Sequence, residues 1–432
     1  MTPAARLAAA IEALTDIEAR RRPVAEALKD WGLSHRFAGA KDRAAIGNLV
    51  YDALRWRLSN AWIMDADTPR ALVLATVGYR WQLGRDRLAE MISGDPHAPE
   101  PLTDAERDRL ANPNLAAATA HVRADVPEWI APHLERLFGA DWVEEGAALA
   151  LRPPLDLRVN RLKADRDRVL KALGRFGAVA AAHSPDGVRI AATEGEGRHP
   201  NVQVEPAFQK GWFEVQDEGS QLAALLVGAK PGEQVLDLCA GAGGKTLALA
   251  AAMENRGQVV ATDRDRARLA PIFDRLKRAG TRNVQVREAR ASLDDLAGRM
   301  DAVLVDAPCT GTGVWRRRPD AKWRLTERAL EERIAEQRAI LADAGRHVKP
   351  GGRLVYVTCS LLPEEDGDQV AAFLAEHHEF RAVPSRETTA GALGLVEPQA
   401  SDNEPASPGL VLSPRRTGTD GFFIASLKRE PR

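Results

Sequence analysis

Beyond about residue 223, five short apolar runs, QVLDL, GQVVATD, NVQV, DAVLVDAP and GRLVYVTCS, alternate with stretches of helical periodicity. Strands separated by helices cannot pair as tight hairpins, so each must cross over and re-enter the sheet in the same direction. Residues 223–432 are therefore predicted to form an α/β domain around a doubly wound, mostly parallel sheet. Ligands bind such sheets at the carboxyl ends of the strands, so those ends are where chemistry is to be sought.

The chain is too long for one hydrophobic core. From Thr2 to about Ala148 it reads as amphipathic helices, with Ile46, Leu49, Val50 and Leu54 at helical spacing and breaks at DPHAPEPLTD and ANPN. An all-α domain is expected over residues 1–148. Near RPPLDLRVN the period changes to an alternation of Leu155, Leu157 and Val159, followed by Val169, Leu170, Leu173 and Phe176 at helical spacing. A small α+β module is expected over residues 149–222. The polar stretch PQASDNEPASPG reads as a surface loop.

The strand VLDL runs directly into CAGAGGKT and a helix. Two nucleotide-binding patterns fail there by one residue each. A GxGxxG from Gly241 needs glycine where Thr246 stands, and a GxxxxGK[ST] ending in Lys245 and Thr246 needs glycine where Cys239 stands. What remains is a tight turn through Cys239, Ala240, Gly241, Ala242, Gly243 and Gly244, suited to a compact ligand such as the methionine part of S-adenosyl-L-methionine. The next strand ends in Asp263, about 20 residues on, where an acid in this fold accepts hydrogen bonds from ribose hydroxyls. The plainer reading of these residues is a strand-to-helix turn and a helix cap.

Only three cysteines occur, Cys239, Cys309 and Cys359, with no spacing that suits a zinc site or a disulfide framework. No metal is expected. Cys309 and Cys359 each follow a strand, and Asp306 precedes Cys309 by three residues, which places two thiols and an acid at the ligand edge. Isolated free cysteines are commonly small buried hydrophobes, and packing or a cofactor contact through the backbone is the better reading for Cys239. For the other two, the position suits chemistry on carbon 5 of cytosine, a poor nucleophile. A thiolate that adds to carbon 6 makes carbon 5 enamine-like, a carboxyl at the ring N3 and amine edge stabilises the developing charge, and a second group assists release. Position alone does not say which cysteine attacks. A lowered thiol pKa would have to come from Lys245 or from a helix start after Cys359.

Several long motifs carry a resemblance: FEVQDEGSQL at 213–222, VLDLCAGAGGKT at 235–246, VDAPCTGTGVWRRRPDAKW at 305–323, VTCSLLPEED at 357–366, and the ending GTDGFFIASLKR. In these the chain resembles the RNA cytosine-C5 methyltransferases of the Nop/Sun family, in its bacterial ribosomal-RNA branch, over most of its length. The resemblance implies a class I S-adenosylmethionine-dependent methyltransferase fold preceded by a NusB-like RNA-binding domain. It also implies that Cys359 is the nucleophile, that Cys309 assists release, that Asp306 and Lys245 stand beside the target base, and that CAGAGGK, Asp263 and Asp306 hold the cofactor. Ala242 replaces a proline usual in the family, and an acid that contacts adenosine there falls at Ala289, with Glu288 as its substitute.

The expected partner is RNA, ribosomal in the first instance. The same chemistry on tRNA or large-subunit rRNA, or a noncatalytic ribosome-assembly role, is the alternative. Lysine plus arginine (60) and aspartate plus glutamate (61) nearly cancel, so an RNA-binding surface must be local. WRRRPDAKWR at 315–324 is the candidate, its cations gripping phosphates and its indoles stacking on bases. No apolar run approaches a membrane span, and the acids within MTPAARLAAAIEALTDIEARRR are unlike a signal peptide, so a cytoplasmic location is expected.

Overall fold

The computed structural model describes residues 1–288, 291–395 and 408–431. Ala289 and most of the polar stretch at 398–409 lie outside the described residues. The chain divides into two compact units, one comprising Met1–Pro153, Ala192–His199 and Trp315–Leu325, the other Pro154–Ala191, Pro200–Val314 and Thr326–Arg432.

The first unit is helical. Its opening helix, Pro3–Arg20, starts where Thr2 caps it by accepting the Ala5 N–H at 3.1 Å and where Pro3 supplies a fixed φ. Leu7, Ala10 and Leu14 on that helix pack with Ile46, Leu49 and Val50 of the helix Ala40–Arg55 and with Leu72, Leu74 and Leu88. The helical spacing in the sequence is thus the spacing of a buried face.

The segment at 315–324 corrects the expectation of an RNA grip. Trp315 and Lys322 are each only 1% exposed, and Arg316 is buried too. The Lys322 ammonium donates to the carbonyls of Arg55 and Asp125, the Trp323 indole donates to the Leu54 carbonyl at 2.7 Å, and Arg55 donates to the Arg316 carbonyl. Side chains spent on backbone carbonyls inside the helical unit are not available to stack on bases. Burial lowers the Lys322 pKa to about 8. The segment closes the helical core, and Arg318 and Arg324 are the cations it leaves exposed.

The second unit contains two sheets. The smaller is antiparallel, in the order β2-β3-β1-β4, from β1 (Leu155–Val159), β2 (Val179–Ala180), β3 (Gly187–Ile190) and β4 (Phe213–Val215). Leu157, Val159, Val188 and Phe213 from its strands share a core with Val169 and Leu173 of the helix Arg166–Leu173.

The larger sheet is built from β5 (Gln234–Asp237), β6 (Gln258–Ala261), β7 (Val284–Val286), β8 (Met300–Asp306), β9 (Val348–Thr358), β10 (Phe380–Val383), β11 (Leu410–Leu412) and β12 (Phe422–Arg429). The order is β10-β12-β9-β8-β5-β6-β7, with β11 paired to β12. Pairings among β5 to β9 are parallel, as the strand-helix alternation requires, whereas β12 runs antiparallel to β9, β10 and β11. From β5 the chain winds outward through β6 and β7, then returns to β8 on the other side of β5. That reversal opens a crevice at the carboxyl ends of β5 and β8. Among the described residues, no helix is long and apolar enough to cross a membrane.

Candidate active site

The turn after β5 is shaped by its glycines. Gly241 and Gly243 have φ of 50° and 83°, a region that costs other residues energy. At Gly243 a Cβ would also lie 2.4 Å from Cγ1 of Ile272, a fully buried side chain. The turn is tied to the next strand by the Gly241 N–H, which donates to Asp263 Oδ2 at 2.9 Å, while Asp263 Oδ1 accepts the Asp265 N–H at 2.8 Å. The Ala242 carbonyl accepts from Arg275 at 2.8 Å, and Arg275 is held in turn by Glu214 of β4. One role of the small sheet is therefore to brace this loop.

Asp237 has an environment that the sequence did not disclose, whereas that of Cys239 agrees with the packing reading. Asp237, at the end of β5, is completely buried; one oxygen accepts the Thr246 hydroxyl at 2.6 Å and Oδ1 has no hydrogen-bond partner among the described residues. Burial pushes its pKa up to about 7, with the Asp306 and Asp263 charges adding to the rise and the Thr246 hydrogen bond and Lys245 opposing it. The signal was an acid inside an otherwise apolar strand. Cys239 is also pushed up, by burial first and then by the charges of Asp306, Asp237 and Asp263. A thiol held protonated in this way is a poor nucleophile, consistent with a packing role.

Beside the loop, Lys245 and Asp306 form an ion pair at 2.6 Å, from the helix Gly244–Ala252 and the end of β8. The Lys245 side chain is 8% exposed and that of Asp306 is 34% exposed, so the acid is the member that faces outward. The Lys245 ammonium also lies 5.5 Å from the ring centre of Phe422 on β12.

The loops after β8 and β9 bring the other two cysteines together, with Cys309 Sγ and Cys359 Sγ 3.3 Å apart. Both thiols are free. The loops are cross-linked: Gly313 N–H donates to the Cys359 carbonyl at 3.0 Å and Leu361 N–H donates to Thr312 Oγ1 at 2.8 Å. Gly313 must be glycine, because a Cβ there would come 2.2 Å from the Gly421 carbonyl oxygen. The two sulfurs are not equivalent. The hydrogen bond with Cys359, then burial, then the charges of Cys359 and Glu365 push the Cys309 pKa well up. These effects favour the protonated form of Cys309. Glu288 is exposed beyond β7.

A central β5 flanked by β6 and β8, an antiparallel β12, and a glycine turn facing an acid on the next strand define the class: the open α/β fold of S-adenosylmethionine-dependent methyltransferases. The residues present fit that cofactor. The glycine turn leads into the N-terminus of the helix Gly244–Ala252, the Asp263 carboxylate retains lone pairs for ribose hydroxyls, and Asp237 Oδ1 is a buried acceptor without a partner among the described residues. Comparison with known proteins then narrows the class. Residues 224–428 match the model of 16S rRNA methyltransferase RsmB/F, and residues 126–194 match the ferredoxin-like domain of RsmF/B-like methyltransferases. The chain is 33% identical to ribosomal RNA small subunit methyltransferase B of Citrobacter koseri, over 90% of this chain and 91% of that protein. It is 38% identical to the protein of the same name from Klebsiella pneumoniae, over 70% of this chain but 65% of the relative's length. The crystal structure of PH0851 superposes with a TM-score of 0.72 at 27% identity, covering 99% of both chains. The chain belongs to the RsmB/F family of 16S rRNA methyltransferases.

Proposed function

We propose that this protein methylates carbon 5 of a cytosine in 16S rRNA, in the cytoplasm, with Cys359 as the nucleophile. The observation that carries the reading is the pair of sulfurs 3.3 Å apart at the carboxyl edge of the sheet, where Asp306 also ends its strand. The choice of Cys359 as the attacker rests on the family resemblance, and the raised Cys309 pKa agrees with it.

Bound S-adenosyl-L-methionine supplies an electrophilic methyl carbon. The segment Cys239–Lys245 and Asp263 would hold it, and Asp306, oriented by Lys245, would meet the N3 and amine edge of the base. The Cys359 thiolate adds to carbon 6, and the carbon 5–carbon 6 π pair becomes the nucleophile that would take the methyl group as the methyl–sulfur bond breaks and the cofactor's sulfur keeps that electron pair. The carbon 5 proton then passes to water, the C–H pair restores the double bond, and the Cys359 sulfur leaves with the electrons of its bond to carbon 6. The departing thiolate accepts a hydrogen bond from the Cys309 S–H, which lowers the cost of expulsion. Asp306 stabilises charge on the ring in both directions.

Bisulfite sequencing of rRNA from a strain lacking the gene tests the reading. Loss of one 5-methylcytosine from 16S rRNA, restored by the wild-type gene, is expected. An unchanged cytosine profile would contradict the proposed activity.

A further inference from the structure

The VTCSLLPEED motif contains an acid that the chemistry above does not use. Glu365 is completely buried. Its Oε1 accepts the Thr310 N–H at 2.8 Å and the Gln337 side-chain N–H at 2.9 Å. Its Oε2 accepts the Ser360 hydroxyl at 2.5 Å and the Thr310 hydroxyl. Thr310 and Ser360 are the residues that immediately follow Cys309 and Cys359. One carboxylate therefore fastens both cysteine loops, each through the neighbour of its sulfur. Gln337 strengthens the Cys309 side by also donating to the Pro308 carbonyl at 2.9 Å. Four donors converging on two oxygens call for a group that only accepts, which an ionised carboxylate is.

We propose that Glu365 is a positioning residue that sets the spacing of the two sulfurs and thereby governs release of the methylated base. The proposal rests on the function inferred above. It predicts an uneven effect on the two half-reactions, because the two loops depend on Glu365 to different degrees. The Cys359 loop sends Glu365 one hydrogen bond, from the Ser360 hydroxyl, and the Cys359 carbonyl is held by Gly313. The Cys309 loop draws two hydrogen bonds from Thr310 to Glu365. Loss of the carboxylate thus frees Cys309 first, and a donor displaced by about 1 Å slows the step it serves by about 100-fold. The Glu365 charge also contributes to the raised pKa of Cys309, after the Cys359 hydrogen bond, burial and the Cys359 charge. Its removal weakens the retention of the proton that the departing sulfur needs.

The test measures formation and decay of the covalent RNA–protein adduct in single-turnover reactions with 16S rRNA and S-adenosylmethionine. Glu365→Ala is expected to form the adduct within about threefold of the wild-type rate and to resolve it about 100-fold more slowly. Glu365→Gln is expected to restore most of the release rate. Its amide oxygen replaces Oε1, and its NH₂ donates to the Thr310 and Ser360 hydroxyls, which turn to accept. Release at the wild-type rate in Glu365→Ala, an equal loss of both steps, or failure of Glu365→Gln to rescue would each overturn the proposal. Should Glu365→Ala not fold, Thr310→Val takes its place: it keeps the backbone bond to Oε1 and is expected to slow release alone, and unchanged release overturns the proposal. Cys309→Ala is the control. If it accumulates no adduct, the proposed function itself fails; if it does while Glu365→Ala does not, only the role of Glu365 fails.

Discussion

Gly243→Ala is the substitution whose consequence the geometry of the cofactor loop defines most sharply. The position has φ of 83°, and holding an alanine in the left-handed region costs about 1 to 2 kcal/mol. The new Cβ would lie 2.4 Å from Cγ1 and 2.8 Å from Cδ1 of Ile272, which is fully buried among Ala261 and Leu269. Overpacking of that kind adds about 1 to 3 kcal/mol. The strain either stays in the folded protein, where it lowers stability, or is relieved by a shift of the loop, where it lowers affinity for the cofactor. The two losses together are expected to reach about 3 kcal/mol, which as affinity alone is about 100-fold in Kd. Urea unfolding gives the first loss and calorimetric titration with S-adenosylmethionine gives the second. Gly228→Ala is the matched control: its φ is 63° with nothing within 4 Å of the added Cβ, so it bears only the backbone cost and should leave Kd unchanged. If Gly243→Ala changed neither stability nor Kd, the loop would not have the conformation from which its role is argued.

Asp237 gives a pH prediction. Its pKa is raised to about 7 from an unfolded value near 3.9, so its contribution to stability is complete below about pH 4 and is lost as the pH rises through about 7. The span corresponds to about 4 kcal/mol. Urea melts should therefore show Asp237→Asn gaining on the wild type between pH 5 and pH 8, and a constant difference would count against a buried acid with one unpaired oxygen. In the helical unit, Lys322→Ala leaves the Arg55 and Asp125 carbonyls without their donor, at about 1 to 3 kcal/mol each. A thermal shift should register the loss, and a change in rRNA affinity at full stability would instead revive the RNA-grip reading.

How far the sequence discloses this architecture depends on how local each determinant is. The parallel strands were legible because their apolar runs are bounded by helical periods, and the crevice followed from their winding. The Gly241–Gly244 turn and Asp263 were legible because two nucleotide patterns failed at identifiable positions. The orientation of residues 315–324 was not, because cations and indoles have the same pattern whether they face water or a core. Lys322 is buried by carbonyls 267 and 197 residues away in the chain, a pairing no local period encodes. The meeting of the two cysteines was likewise hidden, since each follows a strand and their 3.3 Å contact, in which either sulfur can donate, forms only in the folded sheet. Glu365 lay in a motif the sequence displays, yet its partners Thr310 and Ser360 become neighbours only when β8 and β9 pair.

The division of labour between the two sulfurs is the centre of this account, and covalent trapping tests it most directly. Each cysteine variant is incubated with 16S rRNA and S-adenosylmethionine, and RNA–protein adduct is measured on a denaturing gel and by mass spectrometry of the linked peptide. Cys309→Ala is expected to accumulate an adduct linked through Cys359, and Cys359→Ala is expected to form none and to transfer no methyl group. Full methyl transfer by Cys359→Ala, or an adduct linked through Cys309, would contradict it.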